Sequence, residues 1–230
     1  LAISAACHAQ GAQVFGVDQD GQALRKSFDA LGERVAWIEA DVTDESLVQA
    51  ALVRAKETMG GIDTLVCNAA TLTPAVTVEE LSAEDWKAAL DVNLTSAFYT
   101  CKYGIGALRD AGGGSVVIVA SQMGSVAWTG SAAYCATKGA LIQFAKALAL
   151  DHAKDKIRAN TLSPGGTLTS RLERKFGDAE SAEREWGPMH PIGRLGRVEE
   201  IAQGAVFLAS DEASFMTGSD LIMDGGYTAW

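Results

Sequence analysis

Val116–Lys138, with the sequence VVIVASQMGSVAWTGSAAYCATK, is the stretch that decides the fold. It begins with the apolar run Val116–Ala120, which is too short for a helix and rich in β-branched residues, so it predicts a buried strand. Ser121 follows at the carboxyl end of this strand, where open α/β sheets place their ligands. A loop then leads into a helix that carries Tyr134 and Lys138, whose spacing puts them one turn apart on the same helix face.

This Tyr–Lys pair predicts a site for proton transfer. A fixed ammonium beside a phenol favours the phenolate, because an opposite charge stabilises the ionised form, so we expect Lys138 to lower the pKa of Tyr134. A tyrosine with a lowered pKa exchanges a proton at neutral pH. The alternative is a helix with one core tyrosine and one solvated lysine.

Ser121 and the segment Tyr134–Lys138 resemble the active-site pattern of the short-chain dehydrogenase/reductase family, in which a serine precedes Tyr-x-x-x-Lys by thirteen residues. The resemblance implies an α/β fold with a doubly wound, Rossmann-like parallel sheet in three layers. Residues 1–230 would form a single NAD-binding domain that is incomplete at its N-terminus. It also implies that Ser121, Tyr134 and Lys138 are catalytic.

The start of the chain predicts the second half of a βαβ nucleotide-binding unit. A helix ends near Gly11, a strand covers Ala12–Val17, and Asp18 stands at the end of that strand. A strand and a glycine-rich turn should precede this helix, so we expect the sequence to begin inside the first helix of the fold. A carboxylate at the position of Asp18 accepts hydrogen bonds from ribose hydroxyls and repels a 2′-phosphate, which favours NAD over NADP. The alternative is that Asp18 caps the helix predicted over Gly21–Leu31.

Further cofactor contacts follow from the resemblance. Asp41 and Val42, after the strand Val35–Ile38, would meet the adenine; the alternative for Asp41 is a turn or capping acid. Asn68 and Ala69 follow the strand Asp63–Cys67 and match part of the family's Asn-Asn-Ala-Gly. This chain has Ala70 where the family has glycine, and a positive φ there would strain the alanine.

A long helix, Ser82–Leu108, carries the fourth catalytic candidate. Asn93 is an indifferent helix former, so it needs another reason to stand there. The resemblance implies that Asn93 opens the helix locally and holds a water in a proton relay towards Lys138. The alternative is a solvent-facing asparagine.

The strand Ile157–Leu162 leads into a segment that resembles the family's nicotinamide-binding loop. The residues implied to bind the cofactor there are Pro164, Gly165, Thr167 and Thr169. Residues 170–195 read as a polar, irregular segment, which by position would be a substrate lid. A helix over Arg197–Ser210 and a strand over Asp220–Met223 complete the chain. The apolar face of the helix beyond Lys138 implies, by resemblance, pairing with a second copy, and a homotetramer is favoured.

Composition excludes several other classes of function. The chain has 230 residues, 48% of them hydrophobic, and a net charge of −10, whereas a nucleic-acid-binding protein would be basic. No apolar run is long enough to span a bilayer, and the start lacks the charged region of a signal peptide. The four scattered cysteines and three distant histidines predict free thiols, a cytoplasmic location and no metal site.

The sequence therefore predicts an NAD(H)-dependent oxidoreductase that interconverts a secondary alcohol and a ketone, with Tyr134 as general acid and base. One alternative is an NADPH-dependent 3-oxoacyl-thioester reductase. The other is a cofactor-free scaffold, should the protein truly start at Leu1. The substrate would be a small molecule: a sugar, a polyol, a cyclic alcohol or a β-keto ester. Residues that could line its pocket are Gln122, Met123, Trp128, Trp186, Met189 and Tyr227.

Overall fold

The computed structural model describes residues 1–229 and has the predicted α/β architecture, with helices on both faces of parallel strands. The strands are β1 Val14–Asp18, β2 Val35–Glu39, β3 Thr64–Cys67, β4 Gly114–Val119, β5 Ile157–Pro164, β6 Thr167–Leu168, β7 Gly196–Arg197 and β8 Asp220–Met223. The α-helices are α1 Ala2–Ala9, α2 Gly21–Asp29, α3 Glu45–Met59, α4 Ala83–Leu90, α5 Ser96–Asp110, α6 Ala132–His152, α7 Ser170–Phe176, α8 Ala179–Trp186 and α9 Val198–Ala209.

Four of the strands form one parallel sheet in the order β3-β4-β5-β8. Val116 of β4 lies opposite Leu65 of β3 and opposite Ala159 of β5. β1 and β2 form a separate parallel pair, and β6 pairs with β7. Within residues 1–229, β1 pairs only with β2, and β3 only with β4. The predicted strand and glycine-rich turn before Leu1 lie outside this sequence and stay a prediction.

The two faces of β4 explain its uninterrupted apolar run. Val116 and Ile118 face a core cluster built with α5 and α6, while Val117 faces a second cluster with Leu162 of β5 and Leu208 of α9. Alternate residues of a strand point to opposite faces, so a strand covered on both sides must be apolar throughout. This packing is the doubly wound arrangement that the sequence predicted.

Capping residues define several helix ends, and they show which aspartate caps α2. Asp20, not Asp18, caps α2, because its side chain accepts a hydrogen bond from the Ala23 N–H. Asp44 caps α3 in the same way, and Gly60 ends that helix in the left-handed conformation at φ 77°. The carboxylate of Asp18 is therefore not used as a helix cap.

Two predicted elements differ from the structure. The long helix over 82–108 is not continuous: a π-helical turn, Asp91–Thr95, separates α4 from α5. Residues 170–195 are not irregular, because they contain α7 and α8. The side chain of Thr169 caps α7 and that of Asp178 caps α8. These caps were visible in the sequence, but short polar helices lack the apolar periodicity that reveals a longer one.

Candidate active site

The carboxyl ends of β3, β4 and β5 place the central site residues along one edge of the sheet. Asn68 follows β3, Ser121 follows β4, and Pro164 ends β5. The three strands are parallel, so their carboxyl ends meet at the same edge, which is where α/β sheets bind ligands.

Ser121 stands at the end of β4 in an extended conformation, φ −172°, and is buried. Its Oγ accepts a hydrogen bond from the Met123 N–H at 3.2 Å, which begins a short 3-10 turn over Gln122–Gly124. That contact uses Oγ as an acceptor and leaves the hydroxyl hydrogen for the Tyr134 phenol. Ser121 also hydrogen-bonds the Tyr134 phenol, which lowers the pKa of that phenol.

Lys138 is 2% exposed, and its ammonium donates a hydrogen bond to the backbone oxygen of Val119 at 2.8 Å. The Nζ atom lies 5.7 Å from the centre of the Tyr134 ring. Burial, and then the charge of Arg171, lower the pKa of Lys138 to about 8. The lysine is therefore neither solvated nor remote from the phenol, and the alternative of a solvated lysine is excluded.

The predicted lowering of the Tyr134 pKa is wrong in sign. Burial raises the pKa of Tyr134 above its usual value, and only the hydrogen bond from Ser121 and the charge of Arg171 oppose the rise. The sequence spacing places Tyr134 and Lys138 on one helix face. It does not show that the Lys138 ammonium is hydrogen-bonded to the Val119 carbonyl of β4. Tyr134 is therefore a protonated phenol at neutral pH.

Arg171 is a charged neighbour of the site that the sequence analysis missed. It lies on α7, and its guanidinium donates a hydrogen bond to the backbone oxygen of Ala70 at 2.9 Å. Its positive charge lowers the pKa of both Tyr134 and Lys138. No motif marks this arginine, because it enters the site from a segment that is distant in sequence.

Asn93 lies in the π-helical turn and is 1% exposed, which excludes the solvent-facing alternative. Its Oδ1 accepts from the Thr71 N–H at 2.6 Å, and its Nδ2 donates to the Thr71 carbonyl and to Thr137 Oγ1. The Ser96 N–H bonds the Asp91 carbonyl, five residues back, so the usual helical pairing is displaced here. Asn93 thus ties the π-helical turn to Thr137, the residue directly before Lys138.

The residues predicted to meet the nucleotide lie at or after the ends of β1, β2 and β3. Asp18 is exposed at the end of β1, and its Oδ1 accepts from the Asp20 N–H. Asn68 and Ala69 are exposed after β3. Asp41 uses its Oδ1 to accept from the backbone and hydroxyl of Thr43, so it is a turn acid as well as an adenine candidate.

Val42 and Ala70 also lie on this side of the site. Val42, the second adenine candidate, is half-buried. Ala70 does not have a positive φ; outside glycine, the residues of 1–229 that do are Arg34 and Lys156. The replacement of glycine by Ala70 is therefore not strained.

The loop after β5 is held by backbone contacts. The Gly165 N–H donates to the Met223 carbonyl at 2.9 Å, and Thr167 Oγ1 donates to the Gly165 carbonyl at 3.0 Å. A Cβ on Gly165 would stand 2.6 Å from the Cα of Asp224, so only glycine fits. Thr169 Oγ1 accepts from the Leu172 N–H, which leaves its hydroxyl hydrogen free to donate.

His190, buried and not singled out by the sequence analysis, connects this loop to α8. Its Nε2 faces the Gly166 N–H at 3.0 Å, and its Nδ1 lies 3.0 Å from the carbonyl of Trp186. Because an N–H can only donate, Nε2 must accept and Nδ1 must carry the proton. The imidazole is therefore neutral in this arrangement and bridges the two segments.

Aromatic side chains bring the segment 170–195 against the loop after Ser121. The ring of Trp186 lies 6.2 Å from that of Trp128 and 5.8 Å from that of Phe176. These contacts place an apolar wall where the two segments meet. The arrangement as a whole offers a hydroxyl, a phenol and an ammonium in a largely dry setting, which suits proton exchange with a ligand oxygen.

An NAD(P) cofactor fits the donor and acceptor groups on this edge. The free oxygen of the Asp18 carboxylate suits ribose hydroxyls, and Thr169 can donate to a phosphate. Within residues 1–229, no group of three or more His, Cys, Asp or Glu side chains is placed to hold a metal ion. In the same part of the chain, no helix has the length and apolar character needed to cross a membrane.

Comparisons with known proteins match this arrangement over nearly the whole chain. The family profile described as "Enoyl-(Acyl carrier protein) reductase" matches residues 1–228. Cyclohexanol dehydrogenase of Acinetobacter sp. (strain SE19) is 38% identical over 223 residues, which are 96% of this chain and 86% of that protein. D-threitol dehydrogenase of Mycolicibacterium smegmatis is 38% identical over 232 residues, 99% of this chain and 87% of that protein. The solved structure "ElxO with NADP Bound" superposes with a TM-score of 0.93 at 25% identity, covering 100% of this chain and 94% of the other.

Proposed function

The chain belongs to the short-chain dehydrogenase/reductase family, and we propose that it interconverts a secondary alcohol and its ketone with NAD, using Tyr134 to exchange the proton. Its relatives include dehydrogenases named for cyclohexanol and D-threitol, so it is an oxidoreductase that acts on CH–OH groups with NAD(P). The observation that carries the proposed mechanism is the convergence of Ser121, Tyr134 and Lys138 at the carboxyl end of β4.

The nicotinamide cofactor supplies or accepts a hydride when bound. The Tyr134 phenol donates its proton to a ketone oxygen, or its phenolate takes the proton of an alcohol. The hydroxyl hydrogen of Ser121, which otherwise bonds the Tyr134 phenol, turns to the same substrate oxygen, where negative charge develops. Because burial raises the pKa of Tyr134, the phenol holds its proton at neutral pH and can give it to a ketone oxygen.

Lys138 and Asn93 support the phenol in this proposal. The ammonium of Lys138, fixed by the Val119 carbonyl, is placed to hold the nicotinamide ribose and to stabilise a phenolate when one forms. Asn93 holds the widened turn in which a water can connect the lysine to solvent. The side-chain amide of Asn93 is already hydrogen-bonded to Thr71 and Thr137. The water of the proposed relay would therefore bind backbone groups of the π-helical turn.

NAD is the proposed cofactor, with NADP as the competing choice. Support comes from the exposed carboxylate of Asp18, which suits a ribose diol and repels a 2′-phosphate. The remaining proposed contacts are Asp41 and Val42 with the adenine, Asn68 and Ala69 beside it, and the loop residues Pro164, Gly165, Thr167 and Thr169 with the nicotinamide and phosphates.

The wider organisation is proposed on related grounds. Residues 1–230 would act as one cofactor-binding domain with residues 170–195 as a substrate lid, supported by the contact between Trp186 and Trp128. We also propose a cytoplasmic location, supported by the four free cysteines, and a homotetramer assembled through α5 and α6. A groove of about 430 Å³ between these helices, lined in part by Phe98 and Phe144, supports that interface.

The full-length protein with Tyr134→Phe tests the catalytic proposal. We expect kcat for cyclohexanol and for D-threitol to fall by at least about a hundredfold, because phenylalanine cannot exchange a proton. Binding of NADH, followed by its fluorescence, should change little. Tyr99→Phe, on the surface of α5, is the matched control and should retain activity. Turnover that survives Tyr134→Phe would remove the phenol from the mechanism. Running the same assay with NADPH and a 3-oxoacyl thioester distinguishes the reductase alternative.

A further inference from the structure

The side chain of Gln122 is unusual because it is polar, buried and unpaired. The residue is 3% exposed, and its Oε1 is the one buried side-chain nitrogen or oxygen in residues 1–229 that has no hydrogen-bond partner. The backbone carbonyl of Gln122 is engaged, since it accepts from the N–H groups of Ser125 and Val126. The unpaired atom is therefore a feature of the side chain and not of a poorly formed turn.

A buried acceptor without a donor is destabilising. Leaving such a group unpaired forfeits its hydrogen bonds with water without replacing them, and nearly all buried polar groups in proteins are paired for that reason. An apolar side chain of the same length would fill the position without this cost. The fold itself therefore does not explain a glutamine here, whereas a ligand that donates a hydrogen bond would.

The position of the amide points to the reaction site. Gln122 directly follows Ser121 at the end of β4, and its Oε1 would lie 2.8 Å from a Cβ placed on Gly165, just after β5. β4 and β5 are neighbours in the sheet, so the amide spans the gap between their carboxyl ends. It lies between the serine that meets the substrate oxygen and the loop assigned to the nicotinamide. The absence of a side chain on Gly165 leaves the room that the amide occupies.

The chemistry of the amide selects the partner. An unpaired carbonyl oxygen needs a donor, and the amide nitrogen next to it is itself a donor, so a hydroxyl group can satisfy either end. We propose, on the basis of the function proposed above, that Gln122 hydrogen-bonds a second hydroxyl of the substrate. That hydroxyl would lie one or two carbons from the reacting carbon.

The substrate class that follows is a diol or polyol instead of a simple secondary alcohol. One relative is named for D-threitol, a polyol, and another for cyclohexanol, which has a single hydroxyl, so the family resemblance leaves both classes open. The unpaired amide decides between them for this chain. A site that hydrogen-bonds a hydroxyl rejects analogues without it, because the buried group is then left without a partner.

The test compares the full-length wild type, Gln122→Met and the control Gln143→Met, which alters an exposed glutamine on α6. The probes are cis-1,2-cyclohexanediol and cyclohexanol with NAD⁺. We expect the wild type to prefer the diol. Gln122→Met should lower the diol-to-cyclohexanol ratio of kcat/KM by at least about tenfold, chiefly through the KM of the diol. Gln143→Met should leave the ratio as it is.

A second readout separates binding from structure. Without ligands, the Tm of Gln122→Met should equal or exceed that of the wild type, because the unpaired atom is gone. A Tm several degrees lower would show a structural glutamine and overturn the inference, and so would an unchanged substrate ratio. If the wild type oxidises neither probe with NAD⁺ or NADP⁺, the proposed function itself has failed. Turnover of cyclohexanol with no preference for the diol overturns only the role of Gln122.

Discussion

At the scale of single residues, the burial of Lys138 makes stability depend on pH. The folded protein lowers the pKa of this lysine to about 8, from a usual 10.5, so the unfolded chain binds the proton more tightly. Stability contributed at this site is therefore lowest below pH 8 and rises as the pH increases from 8 to 10.5. The buried charge is tolerated because the ammonium has the Val119 carbonyl as a partner.

Lys138→Met isolates this effect. The difference in unfolding free energy, wild type minus variant, should increase by roughly 2.5 kcal/mol between pH 7 and pH 10. Urea unfolding of both proteins at the two pH values measures it. The exposed Lys146→Met provides the comparison and should show little pH dependence of this kind. A difference that stays constant would mean that the lysine is not desolvated.

Asp18 is the residue on which the choice of cofactor depends. Asp18→Ala removes a charged acceptor for the ribose and a repulsive charge for a 2′-phosphate, so the ratio of kcat/KM for NAD over NADP should fall by about tenfold or more. Steady-state kinetics with both cofactors measures the ratio. Asp29→Ala, an exposed acid at the end of α2, should leave it unaltered. If the NAD-to-NADP ratio of kcat/KM is the same in the wild type and in Asp18→Ala, the Asp18 carboxylate does not select the cofactor.

At the scale of elements, His190 joins two segments that the sequence treats as separate. Its imidazole accepts from the Gly166 N–H in the loop after β5 and donates to Trp186 at the end of α8. A second proton on Nε2 would abolish the first contact, since that nitrogen could no longer accept. The position of the nicotinamide loop is thus linked to the segment proposed as a lid.

His190→Phe keeps the ring and removes both hydrogen bonds. We expect residues 166–190 to exchange their amide hydrogens faster and the KM for the cofactor to rise several-fold, because the loop is no longer held. Hydrogen exchange and kinetics measure the two effects. His190→Gln, whose amide oxygen can still accept from Gly166, should recover part of the loss. His152→Phe, at the end of α6, serves as the control. Exchange rates that match the wild type would show that His190 fills space only.

The elements also show where sequence reasoning succeeds and where it stops. Strand β4 and the βαβ order could be predicted from the sequence. A strand that is buried on both faces must be apolar throughout, and such a run is visible in the sequence. The sign of the pKa shift at Tyr134 was not readable, because only the folded chain buries the phenol, and burial raises its pKa. Arg171 was missed for a similar reason: only the folded chain brings α7 to the phenol.

At the scale of the whole molecule, the surface of α5 and α6 is the proposed interface between copies. Phe98 is 44% exposed on α5 and lines the groove that Phe144 also lines. Phe98→Asp should shift the molar mass measured by light scattering towards a smaller assembly, because a charge would be buried in the contact. The circular dichroism spectrum should stay unchanged, since the side chain is half-exposed. Val53→Asp on α3 is the control. An unaltered molar mass would place the interface elsewhere.

The π-helical turn Asp91–Thr95 has a consequence for how such a site could be lost. Its backbone contains one residue more per turn than an ordinary helix, since Ser96 reaches back five positions and not four. Excising a single amino acid there would let the backbone run through as a regular helix, with α4 and α5 still joined. The widened turn, in which we propose that a water connects Lys138 to solvent, would then be gone. A deletion of one codon would thus give a folded relative that lacks the proposed proton path.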